Sequence, residues 1–371
     1  MRICLAGSYD PDFGRNRKIH EALTGLGASV SECRVEIWTG DRVELAQNGR
    51  VSAAIRALVA YPRLLWRLLA SDPPDVFLVA HPGWFDVPVV WLAARRHGVP
   101  ILYDMFISLY DTMVLDRGLV APHTALAKIC KAADRLACRL ASRVTVDTPA
   151  DRKFFSELTG QSLDRFGVVW LGAQDQIFRP RPGIEVDCNT VVFHGTFVPL
   201  QGVDIVVRAA KLLEPEGIRF EIVGDGQQKQ MIDRLVDSLG IANVTMHGMV
   251  PMQALPDYIG RATVCLGIFG TTDKANRVIP HKLFECLAMR RPVITRASSA
   301  VASAFTEEEV VTCEPGNPES LAAAILTLMQ HPDRRERIAE AGHRRYLRDY
   351  SRDALVDLWR REVTRTISTT R

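Results

Sequence analysis

The chain has 371 residues, 47% of them hydrophobic and 24% charged, and a formal net charge of +3. The length exceeds one ordinary core and predicts two domains of a globular protein, while the small net charge gives no case for a nucleic-acid partner. No apolar run reaches the ~20 residues of a membrane-spanning helix, and the eight cysteines contain no C-x-x-C pair that would indicate zinc or a disulfide framework.

Short apolar runs alternate with longer amphipathic stretches along the chain. Most runs lack strict alternation, as is typical of parallel strands covered on both faces, so the pattern predicts an α/β protein with doubly wound sheets. The first run follows the N-terminus directly, so we expect no signal peptide and, with the scattered cysteines, a cytoplasmic protein. The predicted strands are 3–7, 29–34, 76–80, 100–104, 144–147, 168–172, 190–195, 220–224, 244–248, 264–268, 292–295 and 310–313.

Two helical stretches of the first half are unusually basic. Residues 50–70 contain four arginines and no acid, and residues 123–143 contain five Lys/Arg and one aspartate, Asp134. Basic amphipathic helices with Trp and Leu lie on anionic membrane surfaces. The alternative is a helix that packs one side on its own sheet and exposes the other to water. The first stretch carries Arg50, Arg56, Arg63 and Arg67, with apolar Ile55, Leu58, Val59, Leu65, Trp66 and Leu69.

A linker is predicted at 172–189, which has no periodicity and holds two prolines and a glycine within 180–183. About six strands lie on either side, which indicates two similar α/β domains. We place the first at 1–175 and the second at 176–345. Residues 346–371 are expected to form a C-terminal helix that crosses back to the first domain.

Three strands of the second half each stop at a glycine: Gly195, Gly224 and Gly248. Glycine lets the backbone approach a ligand closely, and open α/β sheets bind ligands at the carboxyl ends of their strands. The three together predict a ligand crevice, the alternative being ordinary turn glycines. No complete G-x-G-x-x-G is present, so a dinucleotide fingerprint is weak.

The stretch 276–294 predicts a loop, an amphipathic helix from about Pro280 to Met289, and a buried strand. A helix N-terminus offers free N–H groups and partial positive charge, and cationic side chains gather at this one. We therefore predict a diphosphate site, with Glu285 one turn further on accepting hydrogen bonds from ribose hydroxyls. The alternative is a surface helix with a capping cluster. The cationic residues are Lys274, Arg277, His281 and Lys282.

The second half also contains the motifs Gly195-x6-Gly202, IVGDG (222–226), V-x3-G-x-V (244–250) and FECLAMRRPVI (284–294). Together they resemble the donor half of the family 4 glycosyltransferases, over about residues 168–315 and more loosely before. The resemblance implies the GT-B fold, with two Rossmann-like domains facing each other across a cleft. It also implies sugar transfer from a nucleoside-diphosphate sugar with retention at the anomeric carbon, without a metal or other cofactor.

The resemblance implies roles for the donor-side residues. Arg277 and Lys282 would stabilise the leaving diphosphate as catalytic residues, and Glu285 would position the ribose. The backbone at Met249 and Val250 would border the base. The other implied donor-binding residues are Gly195, Thr196, Gly224, Gly248, Lys274, Pro280 and His281.

This sequence departs from the family pattern at two places. The family usually carries E-x7-E, and Glu285 takes the second position, but Arg277 stands where the first Glu is expected. The family also has an Arg and a Lys in its first glycine loop, where Thr196 and Gln201 stand here. We therefore expect the positive charge to have moved to the start of the helix that carries Lys282.

The resemblance assigns the acceptor to the first domain, where two polar loops follow strands. Asp104 ends a strand and is the best candidate for orienting the acceptor hydroxyl. The alternative is a structural acid that pairs with a nearby arginine. Asp10-Pro-Asp12 is a D-x-D pattern, but this fold normally needs no metal, so we predict no metal site. The predicted acceptor-side residues are Gly14, Arg15, Tyr110 and Asp111.

The predicted function is transfer to a glycan acceptor, lipid-linked, in cell-surface polysaccharide or glycolipid synthesis. The basic helices would hold the enzyme on the inner face of an anionic membrane. One alternative is a GT-B nucleotide-sugar epimerase or hydrolase, and another is a catalytically weak nucleotide-binding relative, which Arg277 in place of a Glu would explain. An NAD(P)-dependent oxidoreductase is disfavoured because the first strand lacks the G-x-G-x-x-G spacing.

Overall fold

The computed structural model describes residues 1–37 and 50–369, with residues 50–55 described by their backbone only. The chain divides into two compact units, Met1–Trp170 with Leu355–Arg371, and Leu171–Ala354. Each unit is built on a six-stranded parallel sheet flanked by helices, which confirms the predicted α/β class.

The first unit has the strand order β2-β1-β3-β4-β5-β6. Its central strands are buried throughout, which explains their unbroken apolar runs. A short π-helical segment, Asp111–Asp116, separates β4 from the next helix. The elements are β1 (Arg2–Gly7), α1 (Gly14–Gly25), β2 (Ser29–Arg34), α2 (Arg50–Ala70), β3 (Val76–Val79), α3 (Asp86–His97), β4 (Ile101–Asp104), α4 (Ala125–Leu140), β5 (Arg143–Val146), α5 (Pro149–Thr159) and β6 (Phe166–Val168).

The second unit has the strand order β12-β11-β10-β7-β8-β9, so β7 lies inside the sheet with β8 beside it. Its elements are β7 (Thr190–His194), α6 (Val203–Leu212), β8 (Arg219–Val223), α7 (Lys229–Leu239), β9 (Val244–Gly248), α8 (Leu255–Arg261), β10 (Val264–Leu266), α9 (Asp273–Arg277), α10 (His281–Ala288), β11 (Val293–Arg296), α11 (Ser299–Ala304), β12 (Val311–Cys313), α12 (Pro318–Gln330) and α13 (Pro332–Asp349).

The chain ends in a last helix, α14 (Arg352–Ser368). Its residues Val356, Trp359 and Val363 are buried in the core of the first unit, beside side chains of β1 and β3. The first unit is therefore made of two separate stretches of chain.

The division between the units falls after Trp170, whereas the sequence pattern predicted it after residue 175. The reason is that the following residues bond within the second unit. The backbone N–H of Ala173 donates to Tyr346 Oη on α13 at 3.3 Å, and the carbonyl of Gly172 lies 3.4 Å from His281 Nδ1.

The predicted strand 168–172 is wrong in position, because the observed strand β6 covers Phe166–Val168. Beyond it, the carbonyls of Val169 and Trp170 accept hydrogen bonds from the buried Arg15 guanidinium, at 2.8 and 3.0 Å. Because a side chain satisfies these carbonyls, they need no partner on a neighbouring strand. The strand therefore ends although the apolar run continues.

Candidate active site

The glycine turns after β7, β8 and β9 lie together in the second unit. The N–H of Gly195 donates to the carbonyl of Val223 at 2.9 Å, and that of Gly224 donates to Gly248 at 2.7 Å. Gly195 and Gly224 have φ of 147° and 145°, which L side chains rarely adopt. A Cβ on Gly224 would also collide with the carbonyl oxygen of Gly195. The predicted crevice edge is therefore a close-packed backbone surface that requires glycine.

Lys282 lies beneath the first of these turns. It is only 4% exposed, although it is the second residue of α10, and its Nζ lies 3.5 Å from the centroid of the Phe193 ring. The Nζ donates to Oε1 of Gln201, and a Cβ on Gly195 would lie 2.8 Å from it. Burial lowers the pKa of Lys282 well below its usual range, opposed by the nearby Cys286 and Glu285.

Lys282 lies at the start of α10, within the cluster of cationic residues predicted there, but its side chain is buried. Its Nζ reaches the glycine loop next to Gln201, where the family resemblance led us to expect a cation. A neighbouring element, α10, supplies the charge that the loop itself lacks.

Glu285 is fixed by a histidine that the sequence analysis did not select. Its Oε2 lies 2.7 Å from Nε2 of His194, the last residue of β7. Burial raises the pKa of Glu285, but the hydrogen bond to His194 and the electrostatic effects of His194, His281 and Lys282 outweigh it, so the pKa is lowered. The carboxylate is thus held ionised and oriented. The available sequence signal was a histidine directly before the strand-end Gly195.

The remaining predicted donor-side residues range from buried to exposed. Arg277 is buried at the end of the short helix α9, and Lys274 is half-buried on the same helix. Pro280 caps α10 instead of beginning it, so the helix is one residue shorter at each end than predicted. Thr196 and Met249 are exposed, while Val250 and His281 are half-buried.

We expect Glu285→Gln to weaken binding of a nucleoside diphosphate about 10- to 100-fold, because a hydrogen bond to a charged group is worth about 1.5–3 kcal/mol. His194→Phe should weaken binding through the lost orientation of Glu285, and His194→Gln, which can still donate a hydrogen bond, should restore part of it. Titration calorimetry measures all three variants.

The double variant Glu285→Gln/His194→Phe provides the control for this coupling. Residues that act through one contact show non-additive losses of affinity. The double variant should therefore bind the nucleotide about as tightly as the single variant that binds it more weakly. Fully additive losses would mean that His194 acts independently of Glu285.

In the first unit, Asp104 and Arg15 form a buried ion pair. Their side chains are 0% and 1% exposed, and the guanidinium contacts both carboxylate oxygens, Nη2 to Oδ1 at 2.7 Å and Nε to Oδ2 at 3.0 Å. Thr145 Oγ1 donates to the same carboxylate at 2.8 Å. The prediction of Arg15 as an acceptor-side residue and of Asp104 as the group that orients the acceptor hydroxyl is therefore corrected: the fold contains the alternative, a structural acid paired with an arginine.

The loop with Tyr110 and Asp111 is organised by Asp134 of α4. This carboxylate accepts hydrogen bonds from Ser108 Oγ at 2.6 Å and from the backbone N–H groups of Leu109 and Tyr110 at 3.0 and 2.9 Å. Burial raises the pKa of Asp134 to about 6, against the lowering effect of these bonds. Tyr110 is left half-buried, whereas Asp111 is buried. Of the acceptor-side predictions, Tyr110 and the half-buried Gly14 at the start of α1 keep access to the surface.

Two protein-family models match the chain. The "Glycosyl transferase 4-like domain" matches residues 15–165, and "Glycosyl transferases group 1" matches residues 174–345. Two α/β units, with a cation and an oriented acid at the strand ends of the second sheet, define a glycosyltransferase of the GT-B fold. The chain belongs to the family 4 glycosyltransferases.

Similar proteins agree with this assignment. The D-inositol 3-phosphate glycosyltransferase of Thermomonospora curvata is 27% identical over 315 residues, 78% of this chain and 71% of that protein. Sucrose-phosphate synthase of Thermosynechococcus elongatus superposes with a TM-score of 0.77 at 16% identity, over 100% of both chains. Anabaena HepE in complex with UDP-glucose superposes with a TM-score of 0.71 at 14% identity, also over 100% of both. At these identities the two structures show the shared fold.

Proposed function

We propose that the protein is a retaining, metal-independent glycosyltransferase that moves a hexosyl group from a nucleoside-diphosphate sugar to a glycan acceptor. The observation that carries the proposal is the pairing, at one set of strand ends, of a buried cation with an oriented carboxylate. Lys282 lies under the Gly195 turn, and Glu285 is held by His194 at 2.7 Å. The UDP-glucose bound by the HepE homologue makes a UDP-sugar the first donor to test.

The chemistry follows from where charge develops. Departure of the nucleoside diphosphate leaves negative charge on phosphate and positive charge on the sugar ring. The N-terminal N–H groups of α10, Lys282 and Arg277 stabilise the phosphate charge. Glu285 holds the ribose hydroxyls, and the acceptor proton passes to the departing phosphate oxygen.

The acceptor is proposed to be lipid-linked, used by a cytoplasmic enzyme peripheral on the inner face of the membrane for cell-surface polysaccharide or glycolipid synthesis. Successive crossovers from β2 to β5 run in one direction, so α2, α3 and α4 cover the same face of the first sheet. All three expose apolar side chains on this face: Leu58, Val59, Trp66, Leu69, Leu92, Leu126, Ile129 and Leu136.

In α2, the two interpretations of the basic helices, packing on the sheet and contact with a membrane, are compatible. Its Ala60, Leu64 and Leu68 pack on the sheet, while Trp66 is 69% exposed. The predicted contributions of Arg50 and Ile55 lie outside the described side chains. Among the described helices, none is apolar over a length sufficient to cross a bilayer.

Calorimetric titration of UDP, GDP, TDP and ADP tests the donor site. We expect one of the four to bind clearly more tightly than the others, because the base is bordered by protein. The matching nucleotide-sugar should then be consumed only when membrane extract supplies an acceptor. Consumption without acceptor would favour the epimerase or hydrolase, and binding without any turnover would favour the catalytically weak relative.

A further inference from the structure

A groove of about 500 Å³ lies between the end of β2, an edge strand of the first sheet, and α2. Of the described residues, four arginines and a single acid line it, so positive charge dominates this lining. Its charged residues are Arg34, Arg56, Arg63, Arg67 and Glu36.

The arginines of this groove are poorly neutralised. Nε of Arg56 donates to the carbonyl of Ile37 at 2.9 Å, and Nη1 of Arg67 donates to the carbonyl of Arg34 at 3.0 Å. Among the residues that the structure describes, Arg34 is the one groove arginine that meets a carboxylate, that of Glu36 at 3.2 Å, and the Glu36 side chain is 67% exposed. Exposed ion pairs of this kind contribute about 0–1 kcal/mol.

Guanidinium groups bind phosphate through paired N–H donors, and several around one hollow form a phosphate site. The groove belongs to the first unit, whereas the proposed nucleotide site belongs to the second. Its arginines are therefore not among the residues proposed to hold the donor diphosphate.

Apolar side chains continue this basic surface along α2. Val59, which lines the groove, is 71% exposed, and Trp66 follows two helical turns later. A soluble phosphate ester would leave both in water. An anionic membrane would neutralise the arginines and also cover the apolar side chains.

We propose that the groove binds the phosphate of an anionic lipid headgroup, with Val59 and Trp66 entering the interface. This inference rests on the membrane part of the proposed function and assigns it to named residues. It is independent of the donor site and of sugar transfer.

The test compares Arg56→Gln/Arg63→Gln with Arg334→Gln/Arg337→Gln, which removes the same charge from the exposed surface of α13. Vesicles of phosphatidylcholine with about one third phosphatidylglycerol are floated with each full-length protein. Each arginine near an anionic surface contributes about 1 kcal/mol, so the groove variant should bind about 30-fold more weakly than wild type. The α13 variant should bind nearly as wild type.

Two further measurements distinguish a membrane-binding site from a site for soluble phosphate. Titration of glycerol 3-phosphate detects a soluble-phosphate site, and Trp66→Ser removes an interfacial side chain without touching the arginines. Weakened vesicle binding by both Trp66→Ser and the groove variant supports the proposal. Equal vesicle binding by the groove and α13 variants overturns it, as does loss of glycerol 3-phosphate binding with vesicle binding unchanged. Unchanged UDP titration in the groove variant shows that a failure here leaves the donor proposal intact.

Discussion

Replacing Lys282 with methionine is expected to reduce kcat about 100- to 1,000-fold, the loss found when one preorganised group that stabilises transition-state charge is removed. The reason is that Lys282 Nζ lies beneath Gly195, in contact with Gln201, at the edge where the leaving diphosphate would develop charge. Methionine keeps a long apolar stem against the Phe193 ring, so the packing of α10 should survive. Steady-state kinetics with the matched nucleotide-sugar measures the loss.

The same variant should unfold at a higher temperature than wild type. Burial lowers the pKa of Lys282 below the ordinary 10.5, so the folded protein binds this proton more weakly than the unfolded chain. At a pH above 10.5 the lysine is neutral in both states, so burying it carries no charge-related cost in free energy. This cost grows as the pH falls below 10.5. The advantage of Lys282→Met should therefore be larger at neutral pH than at alkaline pH, in thermal melts run across that range.

Lys153→Met, at an exposed position of α5, is the matched control and should leave both kcat and melting temperature close to wild type. If Lys282→Met lost stability together with activity, the lysine would be a structural cation. If it kept full activity, the diphosphate would have to be stabilised by Arg277 and the N-terminus of α10 without it.

The substitution Asp104→Asn is expected to lower the free energy of unfolding by about 3–5 kcal/mol, because it leaves the Arg15 guanidinium buried without a counter-charge. The shape of the side chain hardly changes, so the loss reports charge and not packing. Urea unfolding measures the difference. Below its melting temperature the variant should keep a near wild-type kcat per folded molecule.

The double variant Arg15→Met/Asp104→Leu removes both charges together. Replacing a whole buried ion pair with apolar side chains is often close to neutral, so much of the lost stability should return. If the single variant Asp104→Asn kept wild-type stability and lost most of its kcat, Asp104 would again be a catalytic candidate.

Much of the architecture could be predicted from local sequence. The buried strands β3 and β4 read as continuous apolar runs. The edge strands β2 and β9, which are partly exposed, match their predicted bounds, 29–34 and 244–248. β6 was misplaced because the apolar run continues at Val169 and Trp170, whose carbonyls bond the distant Arg15 side chain. The hydrophobic periodicity of the sequence cannot show where such a strand ends, because the end depends on a hydrogen bond to a distant side chain.

The candidate site was predictable only in part. Gly195, Gly224 and Glu285 were predicted at one site, and the fold brings them close together because each follows or faces a strand end of one parallel sheet. His194 was missed, since its contact with Glu285 joins residues 91 positions apart. Asp134 was counted as the lone acid of a basic helix, and only the fold shows that it holds the backbone of the Tyr110 loop.

By itself, the sequence determined the α/β class, the glycine turns and the family resemblance, because these depend on local periodicity and short motifs. Only the tertiary structure decided what the charged side chains do. It placed Lys282 beneath a loop of another element and paired Arg15 with Asp104 across 89 positions. In the described part of the chain, it also gathered four arginines and one acid around the α2 groove. The physical reason is that the energy of a charge depends on its burial and its partners, and both are set by which elements become neighbours when the sheets form.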